Sequence, residues 1–338
     1  MAPSFRDILI IGAGVLGLST AAILRGRGRA VTVVDPGGPN ASSVAAGMIA
    51  PAMESAVERV EPERADLLRA AAGLWPAFAA AHGVTLSPAL AEWRGDRSEE
   101  IHERLLALGF AAEAMEGGVR ASDDLRVSPV PALARLADGV DRVEGRVEAV
   151  LPDGEGWRID LADGRVLGSS AVVVAAGAET MKAAPDALRE AQNLVFPVRG
   201  QIGFVAAPLA DRTIRGQGGY VTPVEGGVVV GATMDRGRRD LVPDPETGHR
   251  LRRAAEDLLE TLIDPAAVHW RVGIRGASAD GLPLAGRIAP GLFAALAPRR
   301  NGWLLGPLVG EVVADAIEGR APRKEAAAFD PLRFSRAG

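Results

Sequence analysis

The stretch DILIIGAGVLGLSTAAILRGRGRAVTVVD, residues 7–35, decides the fold. DILII is the apolar, β-branched run of a strand buried on both faces, and a glycine-rich turn follows at once. From Val15 the spacing of Val15, Leu18 and Ala22 is helical, and Gly26 and Gly28 can stop that helix. AVTVVD, residues 30–35, then reads as a second buried strand, which makes a βαβ unit with a right-handed crossover. Gly12, Gly14 and Gly17 stand between the first strand and the helix, and Asp35 ends the next strand, 18 residues past Gly17. Gly12 permits the tight turn, Gly14 lets backbone N–H groups approach a pyrophosphate, and Gly17 lets the helix close on the strand. Asp35 can accept ribose hydroxyls. Glycine spacing alone is weak evidence, but strand, turn, helix, strand and acid in this order mark a dinucleotide site.

Outside this unit the pattern is mixed. GGPNASSVAAGMIAP, residues 37–51, is small and turn-rich and reads as a loop. Leu67, Leu68, Ala71, Leu74, Trp75 and Phe78 fall on one helical face, with Pro76 placed to kink the helix and Gly83 to end it. Asp96 and Glu99 have the spacing of a capping box for a helix ending near Gly109, and Ser128-Pro129 opens another that runs to about Asp138. From Val143 to Gly177 short strands alternate with turns as a β-meander that ends in AVVVAAGA. PVRGQIGFVAA and GGVVVGATM are further strands flanking Tyr220, the chain's single tyrosine. Leu251, Ala255, Leu258, Leu259 and Leu262 give an amphipathic helix, AVHWRVGIRG a strand, and Val309, Val312, Val313, Ala316 and Ile317 a last helix stopped by Gly319.

At 338 residues the chain exceeds one ordinary core, so two domains or one large mixed unit are expected. A net charge of −5 spread along the sequence argues against nucleic acid or an anionic membrane as partner and favours small-molecule chemistry. Basic charge is carried almost wholly by arginine, Lys182 and Lys324 being the lysines, so each arginine must be argued from its context. The absence of cysteine excludes disulfides, thiolate metal sites, cysteine nucleophiles and a cysteine-tethered flavin. His82, His102, His249 and His269 lack metal-ligand spacing, so no metal is expected. Strand pattern by Ile8 leaves no room for a targeting segment, and no run reaches about 18 consecutive apolar residues. The expectation is a cytoplasmic protein.

The glycine fingerprint does not separate NAD from FAD. VVVAAGA, residues 172–178, favours FAD over an ordinary buried strand stop, because flavoproteins with this nucleotide fold return to the cofactor through such a small-residue turn. The order of parts agrees: an N-terminal βαβ unit, a meander in mid-chain and a C-terminal return, with no second glycine fingerprint for a pyridine nucleotide. IIGAGVLGLSTA, SSVAAGMIAP, PVRGQIG, YVTPVEGGVVVGATM, VGIRG with DGLPLAGR, and RRNGWLLGPLVGEVVADAI occur in the order found in the D-amino-acid oxidase superfamily of flavoproteins. The chain resembles that family over about residues 7–320, and SSVAAGM makes it most similar to the glycine oxidases.

The resemblance implies an α/β fold: a Rossmann-like FAD-binding domain with a central parallel sheet and β-meander, plus a discontinuous substrate domain built on a mostly antiparallel sheet. Residues 1–83, 128–190 and 271–338 would form the first, and 84–127 with 191–270 the second. It implies non-covalent FAD held by Gly12, Gly14, Val15, Leu16, Gly17 and Asp35, with Val147, Ala176 and Gly177 joining them. Ser42, Ser43, Ala45, Ala46, Gly47 and Met48 would cross the isoalloxazine, and Arg300, Asn301, Gly302, Trp303 and Leu304 would meet its N1 and C2 carbonyl edge. Arg275 would bind the substrate carboxylate, with Arg300 beside it and Tyr220 and Met234 lining the pocket, while Arg299 is the exposed neighbour. A carboxylate buried beside a flavin needs a charge partner, and a planar guanidinium making two parallel hydrogen bonds is the best one.

The implied activity is oxidative deamination of a small amino acid or amine. A Cα hydride passes to flavin N5, an imine is released, and O2 reoxidises the cofactor to give H2O2. No His, Lys or carboxylate stands in these motifs as a base, which suits hydride transfer from a neutral amine. A link to the thiazole of thiamine follows from the family alone, and a homo-oligomer is left open. A dehydrogenase of the same fold passing electrons to a quinone or carrier, and a flavin-binding subunit without turnover, are the alternatives. The chain departs from the family at Gly276, where proline is usual, at Ala297-Pro298 in place of Gly-His, and at LAEWRGDRSEE, which lacks the usual apolar strand.

Overall fold

The computed structural model describes residues 4–334, so the outermost residues of the expected first domain, 1–3 and 335–338, lie outside it. The chain divides into two units, residues to 43 with 133–198 and 274 onward, and residues 44–132 with 199–273. Residues 44–83 thus pack with the second unit, whereas the sequence reading assigns them to the first.

The first unit is built on an eight-stranded sheet. Ser4–Ile11 lies between Val166–Val174 and Val31–Asp35, parallel to both; Leu292–Leu296 extends the parallel set on one side and Asp141–Glu144 on the other. Val147–Asp153 and Gly156–Leu161 attach antiparallel as the meander. The central strands are buried on both faces, which is why they read as unbroken apolar runs. Helix Val15–Gly26 crosses from Ser4–Ile11 to Val31–Asp35 and is buried from Val15 to Leu24. Helix Gly302–Glu318 packs against it closely because glycines line the contact. A Cβ at Gly306 would lie 3.0 Å from Ser19 Oγ, and one at Gly310 2.7 Å from Ile23 Cδ1. Arg27 ties the far ends together through Glu311, Asp315 and Glu318.

The second unit carries a nine-stranded, mostly antiparallel sheet, in which Thr213–Gly216 and Ala91–Arg94 pair parallel. One face packs Val205, Val221, Val228 and Val230 with Ala255, Ile263 and Val268. The other sets Ile202 and Val229 against Val44 and Ala46, with Met48 and Tyr220 beside them. A small sheet joins Met48–Ile49, Leu125–Val127 and Leu86–Pro88.

Several expectations give way here. The loop read at residues 37–51 contains the short helix Ala41–Val44 and the strand Met48–Ile49, and Pro51 opens helix Pro51–Val57. That helix start is capped from a distance, Asp124 Oδ1 accepting the Ala52 N–H at 3.0 Å. The capping box at Asp96 and Glu99 does not form, because Arg97 takes φ 76° and helix Ser98–Ala107 begins after it. Leu262 is 83% exposed, the helix Pro245–Leu259 having stopped at Glu260 with φ 52°. LAEWRGDRSEE does contain a strand, Ala91–Arg94, with Trp93 in the core and Glu92 buried under Arg94, Arg120 and Arg212.

Candidate functional site

In a doubly wound sheet, ligands bind beyond the carboxyl ends of the strands. At that edge of the first unit Gly12 leaves Ser4–Ile11 with φ 110°, and its N–H donates to Val34 O at 2.8 Å. A Cβ there would stand 2.5 Å from Ala175 O, and one at Gly17 would stand 2.0 Å from Gly12 O. Both glycines are therefore required by packing. Gly14 differs: its φ of −77° and ψ of 177° suit any residue, and a Cβ would meet only Ser42 Oγ at 3.3 Å. Its lack of a side chain leaves the main chain open for close approach by a ligand, and the N-terminus of helix Val15–Gly26 begins there, favouring an anion.

Two side chains furnish this edge. Asp35 accepts the Ala13 N–H on Oδ2 at 2.7 Å and the Gly37 N–H on Oδ1 at 2.8 Å, which aims a half-buried carboxylate with lone pairs remaining for hydroxyl donors. Ser42 Oγ accepts the Val15 N–H at 3.0 Å, and Ser42 O accepts from Trp303 Nε1 at 3.1 Å. Asn40, which the sequence reading missed, organises the turn by accepting the Ser42 and Ser43 N–H groups on Oδ1. Val147 begins the strand just past Gly145, whose N–H donates to Asp35 O.

The arginine-bearing segments meet at the same edge. Arg299 N–H donates to Gly276 O at 2.9 Å and Ala277 pairs with Pro298, so the Arg275 strand and the turn before Arg300 run side by side. A Cβ on Gly276 would lie 2.9 Å from Gly177 O, which brings the Ala176-Gly177 turn against them. Ala297 and Arg299 take φ of 61° and 51° in this turn, and Asn301 stands at the N-cap position of helix Gly302–Glu318 without a side-chain capping bond. Arg275, Arg299 and Arg300 are all half-buried, so Arg299 is not the exposed neighbour expected from the sequence. The fold has drawn it inward to pair its backbone with Gly276.

The remaining expected residues belong to the second unit. Tyr220 stands opposite Arg215 and Gly231 and packs on the cluster of Val44, Ala46, Ile202 and Val229, which Met48 also joins. Gly47 has φ 74°, and a Cβ there would lie 2.1 Å from Val127 O, which fixes the turn before Met48. Ala45 is half-buried. Met234 is 37% exposed, more open than a pocket-lining side chain was expected to be.

Beneath Met48 lies a charged group that the sequence did not reveal. Arg215, 3% exposed, donates Nη1 to Glu54 Oε1 at 2.8 Å and sets Nη2 3.3 Å from Met48 Sδ. Burial raises the carboxyl pKa of nearby Asp124 from 3.8 to about 7, against the lowering pull of Arg215 and the Ala52 N–H. The folded chain then holds a proton there that the unfolded chain has released, so this group's contribution to stability falls as pH rises from about 4 to about 7. Asp124→Asn keeps the oxygen that caps Ala52 and cannot titrate. Urea melts across that range should show wild type losing stability relative to the variant with rising pH; a pH-independent difference would refute the assignment.

Residues 7–316 match the family model DAO, FAD dependent oxidoreductase. The tRNA 5-methylaminomethyl-2-thiouridine biosynthesis bifunctional protein MnmC of Caulobacter sp. (strain K31) is 30% identical over 98% of this chain and 58% of its own length, so the chain spans less than two thirds of that relative. Glycine oxidase of Geobacillus kaustophilus (strain HTA426) is 30% identical over 97% of this chain and 96% of its own. The crystal structure of glycine oxidase from Geobacillus kaustophilus superposes with a TM-score of 0.82 at 27% identity, covering 98% of this chain and 99% of that one. A turn that Cβ atoms would fill, an acid aimed beside it and a helix start behind it suit an adenine dinucleotide, and with the match along nearly the whole chain the conclusion is direct: it belongs to the DAO family of FAD-dependent oxidoreductases, and FAD is its cofactor.

Proposed function

We propose that the protein oxidises a small amino acid or amine, as a glycine oxidase does. The observation that carries this reading is the pairing of the Gly276 and Arg299 main chains, which sets the Arg275 and Arg300 segments together at the cofactor edge of the sheet. When bound, FAD would supply the redox chemistry, as acceptor of hydride from the amine-bearing carbon, with an imine as product and O2 as the final acceptor, reduced to H2O2. The chain's own work is to bind and orient. Arg275 takes the substrate carboxylate, where recession from water strengthens a charge-assisted pair, and Arg300 adds a second guanidinium beside it. The residues of the glycine turn, Asp35, Ser42 and Ser43 would hold the cofactor, with Val147, Ala176, Gly177 and the start of helix Gly302–Glu318. First-turn N–H groups are left over by a helix's own ladder and suit a carbonyl or anionic edge.

Under air, each glycine or sarcosine consumed should yield one H2O2. Substrate loss without peroxide, restored only by a quinone or dye, would favour a dehydrogenase. The likeness to the MnmC proteins supports a second reading, in which the amine is carried on an RNA. The net charge of −5 gives such a ligand little electrostatic attraction, and the free amine is preferred.

A further inference from the structure

An open cleft of about 570 Å3 lies at the carboxyl ends of Val31–Asp35 and Asp141–Glu144, where Asp35 stands opposite Glu144 in their parallel pair. Pro36, Glu144 and Gly145 line it from the strand ends, and Asp163 and Arg165 from the turn 162–165 of the meander. All of it belongs to the first unit.

The turn holds Arg165 still. Asp163 Oδ1 accepts the Arg165 N–H at 3.0 Å, Oδ2 accepts from Arg165 Nε at 2.8 Å, and Nη2 reaches over to donate to the carbonyl oxygen of Glu144. The same peptide group turns its other end, the Gly145 N–H, to Asp35 O at 3.0 Å. A side chain at 145 would crowd this arrangement, since a Cβ there would lie 3.1 Å from Arg165 Nη2 and 3.0 Å from Leu161 Cδ1. Arg165 and Asp163 are both exposed, and an ion pair so exposed adds little stability. Stability therefore does not account for a guanidinium plane fixed at three points.

Asp35 is the acceptor for the ribose of the dinucleotide, adenine is joined to that ribose by one bond, and the cleft that opens at Pro36 is the recess next to the acid. We infer that this cleft takes the adenine of FAD and that Arg165 is a cofactor-binding residue, presenting a planar cation to the ring. A guanidinium suits a heteroaromatic face through stacking and cation–π attraction, and Asp163 has already removed its freedom. Pro36 and Val143 add apolar surface to the same recess. The inference rests on FAD as the cofactor and is independent of which amine is oxidised.

The test titrates the full chain, stripped of flavin, with FAD, and reads ADP and FMN as competitors. Arg165→Met should raise the Kd of FAD and the inhibition constant of ADP by one common factor, about twofold to thirtyfold, the range of a cation–π contact. FMN, which has no adenine, should be unaffected. Arg165→Lys keeps the charge, loses the plane and should fall close to Arg165→Met. The melting temperature of the flavin-free chain should stay that of wild type, because the lost ion pair is exposed. A FAD Kd equal to wild type in Arg165→Met overturns the inference, as does a loss that FMN shares in full, or wild-type affinity in Arg165→Lys. Should Arg165→Met fail to accumulate, Asp163→Asn frees the guanidinium without removing it and should give a smaller loss with the same selectivity; no loss there overturns the inference too. A wild-type chain that takes up no FAD overturns the cofactor itself, whereas unchanged affinity in the variants overturns only the role of Arg165.

Discussion

Gly14→Val should fold and be purified without colour. The position has extended backbone that valine accepts, and the added Cβ meets only the rotatable Ser42 hydroxyl, so the loss of stability should be about 1 kcal/mol, one hydrogen bond. Its branched side chain would nonetheless stand where the main chain must come close to the pyrophosphate. Losing two hydrogen bonds to a charged group at about 1.5–3 kcal/mol each weakens FAD binding about 10²- to 10⁴-fold. Gly17→Val should behave in the opposite way. Its Cβ would stand 2.0 Å from Gly12 O, and neither backbone can retreat without separating helix from strand. The cost should exceed about 4 kcal/mol, a large share of a typical stability of about 5–15 kcal/mol. Circular dichroism together with flavin absorbance separates the two. If both variants kept FAD, the placement of the cofactor at this turn would be wrong.

The second large effect is expected at Arg275. Removing one partner of a recessed charge pair costs about 3–5 kcal/mol, so Arg275→Met should lose about 10²- to 10⁴-fold in kcat/KM with glycine. The loss should be confined to substrates that carry a carboxylate, with simple uncharged amines far less affected. The absorbance of bound flavin should stay that of wild type, since the cofactor turn is untouched. Equal loss with charged and uncharged amines would mean that Arg275 shapes the site and does not recognise the acid.

What could be read from the sequence follows the range of the forces involved. Gly12, Gly14, Gly17 and Asp35 were legible because the turn, the helix start and the strand end are fixed by neighbours within one βαβ unit. The short helix at Pro51 was not, because its cap comes from Asp124, 72 residues away. Leu262 continued a helical pattern that Glu260 ends by taking a left-handed backbone, a choice no periodicity announces. Arg299 looked like the exposed member of a pair, but it is half-buried, its backbone joined to Gly276.

The central claim is that FAD bound to this chain takes electrons from small amines that carry an acid group. Mixing the purified yellow protein anaerobically with glycine, sarcosine and small D-amino acids, and following the flavin band, tests it most directly. The account predicts bleaching by at least one of them within seconds, with the colour returning when air is admitted. A flavin that remains fully oxidised across a broad panel of amines would contradict it and leave a flavin-binding protein without turnover of its own.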